Sequence, residues 1–479
     1  MLAVKVKEKR KNNLKLLGVI LSLALPTMFE QLMQTAVQYV DIFMVGTLGT
    51  AATAAAGATT TVNWLIGSTL SALSIGFLAL ISRSLGAGNE ASAKKYTMQG
   101  VIVTLIVGVA FTAITLAISP VIPILMQVDE GIKNLTSQYF FILYLPLLFK
   151  AATIIFGTML RAAGDSKTPM KIGILVNALN VILNFFLIYK TRNITIFGLS
   201  FKVFGAGLGV VGAAAASAVS IFVGGVLITV CLLRHPKISP KAEKFKADFL
   251  YLKPCLKISL PNMLQRFATS FGYVVFASMI NSLGEISTAA HTVANTVESA
   301  FYIPAYGMQT AAATLSGNCL GARDNQKMKD IGRIINIVEL ILMTLSGAVL
   351  FAIAPKMVGF FSSDPAVIDL GTKVLRWVAF TEPFYGVSII IEGILQGVGE
   401  TKIPFIFNIM GMWGVRIVGT FIFVSILRFG LTFAWGSMIL HNLLLFTLFL
   451  VYYFKGNWNP LMKDNQGVKE QTPLSQKND

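Results

Sequence analysis

Runs of apolar residues long enough to cross a bilayer recur about twelve times along this chain, each near the ~20 residues that a helix needs to span the hydrocarbon core. The runs occupy roughly 16–46, 53–81, 97–120, 135–160, 171–189, 205–233, 255–282, 288–318, 331–354, 370–396, 403–427 and 432–454. Hydrocarbon offers no hydrogen-bond partners, so a repeatedly spanning chain of this kind closes its backbone bonds within helices. The breaks are short and rich in Gly, Asn, Asp and Lys, such as LGAGNEASAKK at 85–95 and AAGDSKTP at 162–169. One is longer, RHPKISPKAEKFKADFLYLKP at 234–254. The reading is an all-α integral membrane protein with twelve transmembrane helices. A basic N-terminus (1–15) leads into a first lobe (16–233), the inter-lobe loop (234–254), a second lobe (255–454) and a polar tail (455–479) expected to be disordered. Only 13% of residues are charged and mean hydropathy is +0.71, far from a soluble composition.

The net charge of +17 is topogenic. With both termini inside, the inner segments carry 28 of the 39 Lys and Arg and the outer segments 7, while Lys150, Arg266, Arg376 and Arg416 fall inside helices. Charge spread along one side of a membrane in this way argues against nucleic-acid binding. No cleavage site is evident after the basic N-terminus, so the first apolar run reads as a retained helix. Cys231, Cys255 and Cys319 show no paired spacing and read as reduced, and His235, His291 and His441 are too scattered for a zinc site.

A shift of 235 residues superposes the two halves without a gap. LPTMFEQLMQTAVQYVDIFMVGTLGTAATAA at 25–55 meets LPNMLQRFATSFGYVVFASMINSLGEISTAA at 260–290, and ten of the thirty-three positions from 24 to 56 match. Pro26 falls on Pro261, Gly49 on Gly284, and Leu160, Gly164, Lys167 and Pro169 on Leu395, Gly399, Lys402 and Pro404. Six helices per half is an even number, so the halves run the same way through the membrane. The pseudo-twofold then lies along the membrane normal, with the pathway between two pseudo-symmetric six-helix lobes.

Within this frame, Pro26 and Pro261 break the first helix of each half, either as fixed kinks or as hinges. Asp41 lies fifteen residues beyond Pro26, and its repeat mate is Phe276, so the fold does not demand the carboxylate. An intramembrane acid costs roughly 2.5–3.5 kcal/mol on insertion scales unless paired, hydrated or protonated, and such acids are usually functional. The bland alternative places Asp41 at the outer headgroups. Asn177, Asn180 and Asn184 share one face of helix 5 and would add neutral oxygen ligands to a carboxylate, which suits Na⁺; interhelical hydrogen bonding is the other reading, for Asn177 above all. Gln34 and Tyr39 beside Asp41, together with Asn177, Glu298, Glu382 and Tyr385, are candidates for the substrate path. Glu382 has Arg376 nearby in sequence, and Glu392 is placed to snorkel. Glu30, Lys150, Glu339, Arg266 and Arg416 are expected to pair among themselves. The 34 Phe and 18 Met mostly face lipid or pack helices, with some free to line an apolar pocket. GLGVVG at 207–212 matches GxGxxG, but no strand precedes it and GAAAASA follows, so it reads as a close-packing helix face. The absence of a Walker A sequence and of a Ser/His/Asp set argues against an enzyme.

The chain resembles the MATE family, the multidrug and toxic compound extrusion transporters. The resemblance rests on LPTMFEQLMQTAVQYVDIFMVGTLG in helix 1, ISRSLGAGNEASAKK after helix 2, LRAAGDSKTPM after helix 4, AAHTVANTVESAFYIPAYGMQTAAATLSGNCLGA through helix 8 and LQGVGETKIPF after helix 10, and covers about 15–455. It implies export of amphipathic, often cationic compounds across the cytoplasmic membrane in exchange for Na⁺ or H⁺, by alternating access of two lobes. It implies no cofactor, and the chain is expected to act as a monomer. Asp41, Asn180 and Asn184 match the family's N-lobe cation site, and Ser217 stands where some members place a threonine. One branch carries an acid in helix 7, where this chain has Thr269, and another in helix 10, where it has Tyr385. A flippase for lipid-linked precursors, from the same wider superfamily, is the alternative; such proteins often hold pyrophosphate in a basic cavity, whereas this first lobe is acidic and amide-lined.

Overall fold

The computed structural model describes residues 2–126, 128–196 and 199–461. The expected disordered tail lies outside the described residues from 462 onward. Sixteen helical pieces run along the chain: α1 (Leu2–Gly46), α2 (Thr50–Gly86), α3 (Glu90–Ile118), α4 (Ile122–Leu125), α5 (Lys133–Tyr144), α6 (Leu147–Ala162), α7 (Lys167–Leu187), α8 (Gly209–Arg234), α9 (Phe249–Asn281), α10 (Glu285–Gly321), α11 (Asn325–Phe361), α12 (Pro365–Ala379), α13 (Glu382–Val398), α14 (Lys402–Ile409), α15 (Val418–Thr420) and α16 (Leu431–Lys455). Two π-helical stretches, Met410–Ile417 and Phe421–Ile426, join and follow α15. α1 begins well before position 16, because Lys, Glu, Arg and Leu in 2–15 are good helix formers with no breaker among them.

The all-α expectation has one exception among the described residues. β1 (Lys190–Ile196) and β2 (Leu199–Ala206) form an antiparallel hairpin between α7 and α8, with Lys190 opposite Ala206, Ile196 opposite Leu199 and a bulge near Arg192. Arg192 lies over the rings of Phe185 and Tyr189, at 4.6 and 4.1 Å, which ties the hairpin to the end of α7.

Among the described residues eight helices are long and apolar enough to cross a bilayer, and two bent pairs raise the number to ten, against the twelve expected. α9 and α10 have the length, at 33 and 37 residues, but Arg266, Glu298 and many Ser, Thr, Asn and Gln make them too polar to qualify by composition. The bent pairs replace two spans expected to be single. The segments Glu130–Tyr144 and Leu147–Ala162 meet at 45°, and α12 and α13 meet at 54°. The breaks are repeat-related: Pro146 precedes α6 and Pro383 sits in the first turn of α13. A proline there removes a bond to the preceding turn while fitting the start of a new helix.

The motif glycines are explained by backbone geometry. Gly164 and Gly399 both have φ +87°, the left-handed conformation that ends a helix. Around them the bonds repeat: Gly164 N–H to Arg161 O (2.9 Å) and Asp165 N–H to Leu160 O (3.0 Å), then Gly399 N–H to Gln396 O (3.0 Å) and Glu400 N–H to Leu395 O (2.8 Å).

The chain forms two compact units. One comprises the first helix through Leu25, residues 78–92 and the chain from Lys257 on; the other comprises Pro26–Phe77 and Ala93–Leu256. α1 therefore passes from one unit to the other at Pro26, inside an unbroken helix. The segment before Lys257 belongs to the second unit. Gln99 of α3 fixes it, donating to Lys246 O at 3.1 Å and accepting from Asp248 N–H at 2.9 Å, and Tyr251 packs edge-on against Tyr96 at 5.1 Å. β2 ends at Ala206, so a strand does precede GLGVVG at 207–212, contrary to the expectation, but it belongs to a two-stranded hairpin. Within the unit that contains α7 and α8, Gly212 lies where a side chain would strike the Leu187 backbone, so the match is a packing face. Within the unit from Lys257 on, Gly393 and Gly397 of α13 likewise back onto Gln309 and Ala313 of α10.

Candidate functional site

The second half of α1 delivers Asp41 to α7, where Asn180 and Asn184 are one turn apart and buried, 6% and 1% exposed. Asn184 Nδ2 donates to Asp41 Oδ1 at 2.6 Å. Asn180 and Ser217 Oγ of α8 are 3.1 Å apart, and Asn184 Nδ2 stands 3.2 Å from the Asn180 amide. Tyr139 of α5 lies within electrostatic range of the carboxylate. Four of the residues singled out from the sequence, Asp41, Asn180, Asn184 and Ser217, thus form one cluster.

The cluster cannot satisfy itself. The Asn180 amide meets Asp41 through its nitrogen, because its oxygen there would set two acceptors 2.8 Å apart. In this orientation it donates to Asp41 at 2.8 and 3.2 Å and accepts from Ser217, but then faces the Asn184 nitrogen as donor against donor at 3.2 Å. Asn184 Oδ1 is buried with no partner. A carboxylate, two amides and a hydroxyl therefore stand together, with the Asn184 oxygen still open, and oxygens of these kinds are the donor set a small hard cation takes. Among the described residues no group of His, Cys, Asp and Glu is arranged to hold a metal ion by itself.

The other candidates scatter. Gln34 is exposed and Tyr39 half-buried on α1. Asn177 joins no hydrogen bond through its Nδ2, although that atom is buried. Pro26 and Pro261 both lie inside continuous helices.

In the unit that begins at Lys257, Glu298, Glu382 and Tyr385 fall into one cluster. Glu298, Tyr302 and Tyr306 come from α10, and Glu382 and Tyr385 from the start of α13. Tyr302 packs edge-on against Tyr306 (6.1 Å) and Tyr385 (5.8 Å), and the Tyr306 and Tyr385 hydroxyls are 3.4 Å apart. Glu298 and Glu382 lie within electrostatic range of each other, and Glu382 Oε2 is buried without a partner. Arg376 does not reach Glu382; it stays exposed and caps Phe351.

The expected pairing among the intrahelical charges does not occur. Glu30 pairs instead with Arg161, at 2.6 Å. Lys150 donates to Asn63. Arg416 lies over Tyr273 and Phe276 at 4.7 and 4.3 Å, Arg266 over Tyr306 at 5.7 Å, and both Glu339 oxygens are buried without partners. Glu392 does not snorkel. It is 8% exposed and sits among amides: Gln265 and Gln396 donate to its Oε1 at 2.9 and 3.0 Å, and Asn408 to its Oε2 at 3.4 Å. Sequence reading missed this cage. The 235-residue shift contains the signal, since Gln265 and Gln396 are the repeat mates of Glu30 and Arg161. The three cysteines are free thiols, as read from their spacing.

The MatE family profile matches residues 26–186 and again 261–422, so both matches open on the paired prolines. A probable multidrug resistance protein NorM of Thermotoga maritima is 26% identical over 439 residues, which is 92% of each chain. A probable multidrug resistance protein YpnP of Bacillus subtilis is 23% identical, covering 84% of this chain and 86% of that one. Among solved structures, an outward-facing multidrug resistance MATE family transporter of the MOP superfamily superposes with a TM-score of 0.84 at 23% identity, covering 92% of this chain and 96% of that chain. A MOP superfamily transporter from Pyrococcus furiosus gives 0.83 at 23% identity, covering 93% and 96%.

Proposed function

The chain belongs to the MatE family, a family of multi-pass membrane transporters, and from that premise we propose that it is a Na⁺- or H⁺-coupled antiporter exporting amphipathic, often cationic compounds. The observation that carries this reading is the unsatisfied cluster of Asp41, Asn180, Asn184 and Ser217. An ion entering from outside loads Asp41 and takes up the free oxygen of Asn184. With Asp41 loaded, α1 beyond Pro26 settles against α7. Pro26, where α1 changes unit, is the hinge, and Pro261 is its repeat mate. Return of the ion to the cytoplasm, where the concentration or potential is lower, reverses the step.

The names of the relatives support multidrug compounds as the cargo. Glu382, with its free oxygen, and the rings of Tyr302, Tyr306 and Tyr385 suit an organic cation by charge and by ring face. Glu298 belongs with this group, and Gln34, Tyr39 and Asn177 contact cargo within their own unit. Twelve passes follow if the polar α9 and α10 are counted with the ten apolar spans. Both termini lie in the cytoplasm, an orientation the Lys and Arg distribution supports, and the protein works as a monomer in the cell membrane.

Proteoliposomes loaded with ethidium provide the test. An imposed inward Na⁺ or proton gradient should drive extrusion, and Asp41→Asn should abolish it while leaving ethidium binding in place. Extrusion that needs neither gradient, or that survives Asp41→Asn, overturns the proposal.

A further inference from the structure

We propose that Lys150 of α6 and Asn63 of α2 form a subsite for a carboxylate carried by the cargo, so that zwitterionic amphiphiles are accepted as well as cationic ones. The inference rests on the transport reading above and concerns what the unit formed by Pro26–Phe77 and Ala93–Leu256 recognises.

Lys150 is a cation that the architecture does not need. α6 runs on for twelve residues beyond it to Ala162, about 18 Å at ~1.5 Å per residue. In a hydrocarbon core about 30 Å thick this is near mid-depth, too deep for the ammonium to reach the headgroups. Among the described residues the ion pairs are Lys133–Glu130 and Arg161–Glu30, and no charged group comes within electrostatic range of Lys150. Its hydrogen-bond partner is the Asn63 carbonyl. An uncompensated charge at such depth is costly, and ionisable groups kept there mark functional sites. The repeat shows that the backbone plan does not demand it, since Lys150 becomes Tyr385 and Asn63 becomes Glu298. Nor is the contact needed to join α2 to α6. Ser74 and Thr158 already join the same two helices through a neutral, buried hydrogen bond of 3.2 Å.

The pair offers donors and no acceptor. An ammonium has three protons to give and accepts nothing, so the Asn63 oxygen must face Lys150 and the Asn63 nitrogen must face away. Two ammonium protons and the Asn63 amide protons then have no acceptor among the described residues. At rest, Asn63 gives Lys150 a hydrogen bond without a counter-charge. Both residues are half-buried, and there is room beside them. Gly67 follows Asn63 by one turn on the same face of α2, and no atom lies within 4 Å of where its Cβ would stand. The break before α6 adds to the field. The two helical segments meet at 45°, and Lys150 lies in the first turn of α6, at the positive end of its dipole. Half-helix N-termini inside transporters point at anionic groups of substrates in this way.

Charge fixes the ligand class. A carboxylate brings one negative charge and two acceptor oxygens, enough for the ammonium and the amide together. A phosphate monoester would leave negative charge in excess, and a lipid headgroup stays at the membrane surface. The occupant that fits is an organic molecule with an apolar body and a single carboxylate.

Rhodamine B, which carries a free carboxylate, and its ethyl ester, which does not, are matched probes. Binding of each to the purified full chain in nanodiscs is read by fluorescence anisotropy, with empty nanodiscs subtracted and no ion gradient applied. Lys150→Met should weaken binding of the acid by about tenfold or more, the loss expected for a charge-assisted hydrogen bond, and leave the ester unchanged. Lys150→Arg should retain tight binding of the acid. Asn63→Asp supplies a carboxylate from within the chain and should also weaken the acid alone; it carries the test if the elution profile shows that Lys150→Met does not fold. Equal losses for both dyes, or acid binding unchanged by Lys150→Met, overturn the proposal. Binding of neither dye to the native chain overturns it together with the multidrug reading of the cargo. A Lys150-dependent difference in a chain without gradient-driven ethidium efflux leaves the subsite standing and removes the coupled-antiport reading alone.

Discussion

The Glu30–Arg161 pair offers the most quantitative test of how this fold is held at its inner break. Glu30 lies one turn beyond Pro26, and Arg161 lies one residue before α6 ends. The contact is 2.6 Å and the two side chains keep only 10% and 14% of their exposure. Removing one partner of a buried pair strands the other charge, at a cost of about 3–5 kcal/mol; the residual exposure places each single change near the lower end, about 3 kcal/mol. Glu30→Gln and Arg161→Gln are the informative substitutions, because they install the residues the second half carries at Gln265 and Gln396. Applied together they strand no charge. The double variant should lose no more than about 3 kcal/mol, against the roughly 6 that two independent effects would give, so the coupling energy is at least about 3 kcal/mol. Reversible unfolding in mixed micelles, followed by circular dichroism on the full mutant cycle, measures this. Additive losses would refute the reasoning and show that each group is held by something other than its partner.

Further expectations follow from the same contacts. Asn184→Ala removes the donor 2.6 Å from Asp41 and should reduce gradient-driven ethidium efflux more than Ser217→Ala, whose hydroxyl touches only Asn180; equal effects in the vesicle assay would contradict the geometry. Glu382→Gln should raise the KM for cationic substrates and leave that for neutral ones unchanged in transport assays. Arg323 holds φ +56° at the repeat position of Gly88, so Arg323→Gly should raise stability by up to about 1 kcal/mol in the unfolding assay, since the left-handed conformation costs a side-chain-bearing residue roughly that much. Gly397→Leu would drive a side chain into Ala313 O and the Ser316 hydroxyl and should abolish folded yield in size-exclusion profiles.

The sequence disclosed what periodic physics controls. Apolar length announced most of the spans, and the Gly164 and Gly399 motifs were visible because only glycine takes φ +87° without cost. Asp41, Asn180 and Asn184 were legible because one carboxylate stands out in an apolar helix and the amides share a face at three- and four-residue spacing. Other features were hidden for identifiable reasons. The bends beside Pro146 and Pro383 look like continuous apolar runs, since hydropathy does not register a change of helix axis. The hairpin at 190–206 alternates as TRNITI and LSFKVF, a period of two too short to compete with the helices around it. Partners of buried charges depend on which faces meet, so Glu30 could not be matched to Arg161, nor Glu392 to its amides, from spacing alone.

The repeat makes these pairings readable as exchanges on a fixed frame. Prolines, terminal glycines and the two bent pairs recur at the 235-residue shift, whereas the polar groups between them do not. Asp41 becomes Phe276, Asn63 becomes Glu298 and Lys150 becomes Tyr385. In the first half Lys150 donates to Asn63, a bond that satisfies a cation without a carboxylate. In the second half the same two positions hold a carboxylate and a tyrosine, within the cluster that also contains Tyr302, Tyr306 and Glu382. The first half satisfies Arg161 with Glu30 and Lys150 with Asn63, whereas in the second half Glu382 and Glu392 are buried carboxylates outside any ion pair among the described residues. Two lobes with one backbone plan thus differ in which charge they lack. Under the proposed function, that difference would let an ion and an organic cation use separate carboxylates.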